Sequence, residues 1–277
     1  MKHKALQKLR QTAKRISAYQ VPVYAANASF FILLSIFPGM MLLIGLLQYI
    51  PVTPSQLSEL LSDVAPTALM PLLDYMTQEL FAVNSVALLS ASAVTALWSA
   101  SRGVYSLFKG LNNVYHVQET RNYFLLRLRC TLYTVLLLVA LLLTLVLQLL
   151  GKQLLPFLEQ IHFPGVWLLV SVLHVKHLVV VLGLTVLFCL IFLFFPNRRS
   201  RLREVFPGAF AAAVAWVAFS ALFSFYATRF GNYSVYYGSL SVIALTMLWL
   251  YCCISILFYC GILNRWIEQQ GTGGEKR

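Results

Sequence analysis

The chain has 277 residues, of which 60% are hydrophobic and 11% charged, with a mean hydropathy of +0.77 and a formal net charge of +12. Soluble domains carry about 25% charged and about 45–50% apolar residues, so a single water-soluble core of this length cannot hide the apolar surface encoded here. A charge this positive raises the question of nucleic acid in a soluble protein, but in a membrane protein it is first a question of topology.

Residues 1–26 read as a basic cytoplasmic segment. Within it Leu6, Leu9, Ala13 and Ile16 share one helical face, opposite Lys4, Lys8 and Arg15. That pattern suits either an amphipathic helix lying on an anionic leaflet or a solvated basic tail. The next apolar run is too long for the core of a signal peptide and lacks a cleavage site, so it reads as a first spanning helix.

Six segments are long and apolar enough to span a bilayer: about 27–48, 84–106, 130–150, 177–195, 205–228 and 238–263. Each is near the ~20 residues that a helix needs to cross ~30 Å of hydrocarbon. The runs are continuously apolar, whereas barrel strands alternate, so the spans are predicted as helices. Helix one aligns Asn27, Phe31, Ser35 and Pro38, and the proline bends it where neighbours satisfy the freed carbonyl. Between helices one and two, Thr53-Pro54-Ser55 signals a helix start, and Pro66 and Pro71 interrupt the rest of that connection. Two short helices at the outer interface are expected there.

Helix two carries Ser85, Ser92, Thr95, Ser99, Arg102 and Ser106 at spacings of seven, three, four, three and four, which reads as one face. Small hydroxylated residues let helices approach closely. The same face also suits a polar wall along a cavity, with Arg102 near its inner end holding a phosphate or carboxylate, or else snorkelling to headgroups. Helix five opens Pro207-Gly208-Ala209 and continues through Ala211, Ala212 and Ala215, a small face for close packing. Tyr233, Tyr236 and Tyr237 come after Arg229 in an outer aromatic belt, where Arg229 is placed to meet an anionic headgroup. Residues 267–277 are expected to form a flexible cytoplasmic tail, leaving 27–266 as the transmembrane domain.

The distribution of charge tests that count. Lysines and arginines in the N-terminal segment, in the second and fourth connections and in the tail number 18, against 3 in the remaining connections. The rich side is cytoplasmic by the positive-inside rule, which places both termini inside. A wrong helix count would scramble the alternation. The reading is therefore an all-α integral membrane protein, a bundle of six transmembrane helices in the bacterial inner membrane.

Chemistry is harder to find. No motif for phosphate-loop, metalloprotease or nucleophile-elbow chemistry occurs, and no close carboxylate pair lies inside a span. His174 and His177 sit three apart without an acidic or thiol neighbour, which suits interfacial histidines better than a metal site. Cys130, Cys189, Cys252, Cys253 and Cys260 form no Cys-x-x-Cys pair and read as buried, inert thiols. No Asp or Glu lies mid-membrane, which disfavours ion coupling through a buried carboxylate. No enzyme activity, cofactor or metal is expected.

The sequence resembles the YihY/BrkB family of bacterial inner-membrane proteins, once catalogued as ribonuclease BN. The matching stretches include Ala26-Asn27-Ala28-Ser29-Phe30-Phe31, Leu97-Trp98-Ser99-Ala100-Ser101-Arg102-Gly103, Pro207-Gly208-Ala209 and Tyr233-Ser234-Val235-Tyr236-Tyr237-Gly238-Ser239. The resemblance runs from about residue 10 to 266 and implies a six-helix membrane fold. It links the chain to envelope lipid or lipopolysaccharide transport, solute export or serum survival, while the ribonuclease label looks like a misattribution. Relatives carry Gly-Ala-Glu before the asparagine that matches Asn264, where this chain reads Cys260-Gly261-Ile262.

These observations point to a transporter or flippase-like protein for an anionic lipid or amphiphile, with membrane lipids as partners and nucleic acid not expected. Asn27, Ser35, Ser99 and Arg102 are expected to line the inner part of the path, and Arg229, Tyr233 and Tyr236 its outer mouth. Two alternatives stay open: a non-transporting oligomeric scaffold of envelope biogenesis, built on its small-residue faces, and a solute or ion exporter.

Overall fold

The computed structural model describes residues 17–47, 55, 86–139, 176–198, 200–229 and 239–273. They form six helices: α1 (Val21–Leu47), α2 (Val86–Tyr115), α3 (123–139), α4 (Lys176–Phe194), α5 (Leu202–Arg229) and α6 (Ser239–Gly273). No strand occurs among the described residues. The amphipathic segment at 5–16 and the outer helices expected within 53–80 lie outside the described residues, Ser55 excepted.

Three helices contain stretches long and apolar enough to cross a membrane: Val21–Leu42, Leu202–Ala227 and Ile243–Gln270, with Val180–Phe194 a shorter apolar helix. Several elements outrun the apolar runs that announced them. α1 starts at Val21, and α2 continues to Tyr115. α6 continues to Gly273, through residues expected to form a loose tail. Hydropathy marks only the lipid-soluble part of a helix, whereas these extensions are held by packing and hydrogen bonds at the polar end.

α2 is the axis of the bundle and its most amphipathic helix; Phe108, Leu111 and Val114 are fully buried. It pairs most extensively with α1 and also touches α6, which in turn packs on α5 and α1, while α4 packs on α5. The α1–α2 pair is antiparallel. Ser106 Oγ donates to the Tyr24 carbonyl at 3.0 Å, and Asn113 Nδ2 donates to the Tyr19 carbonyl at 2.6 Å. At the far end Ser92 Oγ lies 3.4 Å from Met41 Sδ.

Glycines set the approach. A Cβ on Gly103 would lie 2.8 Å from Ile32 Cγ1, and one on Gly110 would enter the Phe258 ring of α6 while touching Tyr24 of α1. Three helices thus converge on Gly110. Aromatic stacks fill the remaining space. Phe108, Tyr133 and Phe195 tie α2, α3 and the end of α4, with centroids 4.7–5.8 Å apart. Phe188, Trp216 and Trp249 tie α4, α5 and α6.

Asn264 of α6, only 1% exposed, locks α5 near its proline. Pro207 has no N–H to give the helix ladder. The next amide, Gly208 N–H, donates to Asn264 Oδ1 at 2.7 Å, while Asn264 Nδ2 donates to the Val205 carbonyl at 3.1 Å. Leaving one such buried group without its partner costs about 1–3 kcal/mol.

The α2–α3 and α4–α5 connections meet at one end in a clasp. Asn112 donates to Glu119 Oε2 at 2.7 Å and accepts the Asn197 backbone N–H at 2.8 Å. Asn197 Nδ2 reaches the Gln118 carbonyl and Thr120 Oγ1. α6 joins through Arg198 to Glu268 at 2.7 Å and through Arg265 Nη1 to the Val114 carbonyl at 2.9 Å. Arg265 also sits 5.9 Å from the Tyr19 ring, so the approach to α1 and the C-terminal part of α6 share this end.

Gly110→Ala should lower the thermal midpoint clearly, because overpacking a tight contact costs roughly 1–3 kcal/mol. Gly183→Ala, whose Cβ would meet nothing within 4 Å, should leave it unchanged or raise it slightly. Melting both variants and the parent in one detergent checks the contrast.

Candidate functional site

The hydroxyl stripe of α2 resolves into two rows. Ser92, Ser99 and Ser106 are buried in the row that faces α1, with Ser99 4% exposed. Thr95 and Arg102 stand one step around the helix and are exposed, Thr95 Oγ1 donating to its own helix at Ala91. Ser99, expected to line the inner part of a path, is thus buried in this structure. It fills the α1–α2 seam, because small side chains at a seven-residue interval let two backbones approach.

Arg102 emerges at the rim of that seam. Its guanidinium carbon lies 5.3 Å from the Phe31 ring centroid on α1 and 5.6 Å from the Trp98 ring on the preceding turn of α2. Arg127 comes from α3 to the same indole, 4.7 Å away, and its Nη2 donates to the Trp98 carbonyl at 3.2 Å. Two guanidiniums therefore flank one indole that is 58% exposed. Each such contact contributes about 0.5–1 kcal/mol at an exposed site. Among the described residues neither guanidinium has a carboxylate within ion-pair reach. The result is a platform with two positive charges held on a flat apolar base, open for an anionic group to engage from outside.

The other expected path residues divide. Asn27 is exposed one turn before Phe31 on α1, beside the platform in sequence register. Ser35, one turn after Phe31, spends its hydroxyl on the Ile32 carbonyl at 2.7 Å. Arg229 closes α5, and its side chain lies outside the described set; Tyr233 and Tyr236 lie outside the described residues altogether. Sequence reasoning missed Trp98 and Arg127 as site residues. Trp98 was within reach, since positions four apart on a helix meet. Arg127 sits on another helix and was legible only as a topological charge.

All five cysteines are free, and Cys130, Cys189 and Cys253 are buried, consistent with structural thiols. Among the described residues no group of three or more His, Cys, Asp or Glu side chains is placed to hold a metal ion.

Long apolar helices around a serine- and glycine-lined axis, with arginines gathered toward one end, define a helical membrane protein. The chain belongs to the BrkB family: the family model described as "Virulence factor BrkB" matches residues 12–277. It is 28% identical over 267 residues to a Bacillus subtilis protein named "Putative ribonuclease-like protein YfkH", covering 95% of each chain. A 64-residue stretch is 36% identical to a UPF0761 membrane protein of Alteromonas mediterranea, covering 23% of this chain and 22% of that one. A 95-residue stretch is 30% identical to a UPF0761 membrane protein of Bordetella petrii, 31% of this chain and 21% of that one. No solved structure gives a significant match. Family membership agrees with the resemblance read from the sequence motifs.

If the Ser92–Ser99–Ser106 row is a packing seam, Ser99→Leu should destabilise the protein by roughly 1–3 kcal/mol. Thr95→Leu, on the exposed row, should change stability by less than about 0.5 kcal/mol. Denaturation midpoints of the two variants in matched detergent decide between a seam and a water-lined wall.

Proposed function

We propose that this BrkB family member is a multi-pass transporter of the bacterial inner membrane that moves an anionic lipid or amphiphile between leaflets. The observation that carries the reading is the Arg102–Trp98–Arg127 platform. It presents two guanidiniums that have no carboxylate partner among the described residues on an exposed indole, among helices whose outward faces are apolar. A charged side chain at membrane depth is costly and calls for a partner. An anionic headgroup satisfies both guanidiniums, while Phe31 and Trp98 offer surface to the adjoining chain.

Six spans with both termini cytoplasmic remain our topology. Helix directions support it: α1 runs antiparallel to α2, and α5 antiparallel to α6. The end that gathers the clasp also carries Arg121, Arg198, Arg201, Arg203 and Arg265, the sign expected of a cytoplasmic face. The platform then stands above that end, since thirteen residues of α2 separate Arg102 from Tyr115, about 20 Å of helix. This depth suits the inner headgroup boundary. The scaffold alternative loses some of its basis, because the small-residue faces at Gly103, Gly110 and Gly208 are filled from within the chain.

Reconstitution into proteoliposomes with labelled phosphatidylglycerol and phosphatidylcholine tests the proposal. The wild type should move the anionic lipid above the protein-free rate, and Arg102→Ala and Arg127→Ala should each slow it at least about tenfold, the equivalent of one lost charge-assisted contact. Well-folded protein that moves neither lipid, with and without an ion gradient, would sink the transport reading.

A further inference from the structure

Three buried side-chain polar atoms lack a hydrogen-bond partner among the described residues: Arg121 Nη1, Arg198 Nε and Ser200 Oγ. They are not scattered. Arg121 belongs to the α2–α3 connection and Arg198 and Ser200 to the α4–α5 connection, the two segments clasped through Asn112 and Asn197. Arg198 lies over the Tyr115 ring at 4.0 Å. Tyr115 is 5% exposed, and burial pushes its phenol above the usual range although Asn264 and Arg198 beside the hydroxyl pull it the other way. The three unpartnered groups can all donate, and two of them are cationic. Native proteins leave few buried polar atoms unpaired, and several donors concentrated at one place point to a shared acceptor.

The carboxylates nearby are already committed. Glu119 accepts from Asn112 and from the Arg121 backbone, with the Arg121 side chain 3.7 Å away. Glu268 takes Arg198 Nη1. Glu204 caps the start of α5 by accepting the Arg201 N–H at 2.9 Å. Among the described residues this end still carries five arginines (Arg121, Arg198, Arg201, Arg203 and Arg265) against those three acids. A multi-oxygen anion answers such a set best, because phosphate oxygens accept from several donors at once and guanidiniums match their geometry.

We propose that the clasp between the two connections is a binding site for a phosphate oxyanion, held by Arg121, Arg198 and Ser200 above the Tyr115 ring. The site is separate from the Arg102 platform and does not depend on transport. A free phosphate and a phospholipid headgroup share this chemistry, and the test separates them. Thermal midpoints are read at matched ionic strength in two arms: detergent-solubilised protein titrated with inorganic phosphate, and protein in nanodiscs of phosphatidylglycerol against phosphatidylcholine.

Stabilisation in the phosphate arm assigns the free ion, stabilisation by phosphatidylglycerol alone assigns the headgroup, and stabilisation in both admits either. Arg198 also anchors Glu268, so Ser200→Ala and Arg121→Gln are the informative variants. Ser200→Ala removes a buried hydroxyl with no protein partner, so a purely structural role leaves the unliganded midpoint unchanged or raised. A site weakens the anion's apparent affinity about tenfold in each variant. No stabilisation in either arm, or stabilisation that persists undiminished in both variants, overturns the proposal.

Discussion

Among lipid tails, helices gain nothing by hiding apolar side chains from a solvent that is equally apolar, so association depends on close contact and on hydrogen bonds between helices. Gly110 is where that condition bears hardest on this chain. Its missing side chain admits the Phe258 ring of α6 and the Tyr24 side chain of α1 to the backbone of α2. Gly103 repeats the device two turns away against Ile32. Ser92, Ser99 and Ser106 extend it along the seam, at the lowest volume compatible with a hydroxyl. Widen this axis and the aromatic stacks on either side lose register, since Phe108 contacts both Tyr133 and Phe195 from the same helix.

Polar chemistry is arranged around that axis in two tiers. The lower tier is the clasp, where amides and ion pairs connect α2, the α4–α5 connection and α6. The upper tier is the platform, where Arg102 and Arg127 rest on Trp98 with no carboxylate within reach among the described residues. The contrast is chemical. The lower tier joins its arginines to acids and amides that tie the connections together, whereas the upper tier rests its two on an aromatic base. That division is why the platform carries the functional proposal and why Glu268 and Glu119 do not.

Much of the helical layout was legible because the bilayer demands long apolar runs. α4 and α5 fall within a few residues of the runs at 177–195 and 205–228. The ends were not legible. α2 gains its last two turns from Asn112, Asn113 and Tyr115, whose partners Asn197, Tyr19 and Arg198 are far away in sequence. The stripe on α2 was read as one face because spacings of three, four and seven all lie near a helical turn. A few tens of degrees of rotation separate buried Ser99 from exposed Arg102, and periodicity alone does not resolve them. Asn264 stood in the sequence as a motif position, but its role as the bracket on Pro207 requires two helices to be seen together.

Synthesis imposes an order on these contacts. α1 and α2 emerge before α5 and α6 and carry everything their mutual seam requires, from Tyr19 with Asn113 to Met41 with Ser92. Phe258, which fills the notch at Gly110, and Asn264, which relieves the break at Pro207, both arrive with the final helix. Until then α2 carries an open notch at Gly110 and α5 lacks the Asn264 bracket. The nascent chain therefore waits for α6 before its centre closes, and a ribosome that stalls within α6 releases a product whose open glycine notch distinguishes it from the finished protein.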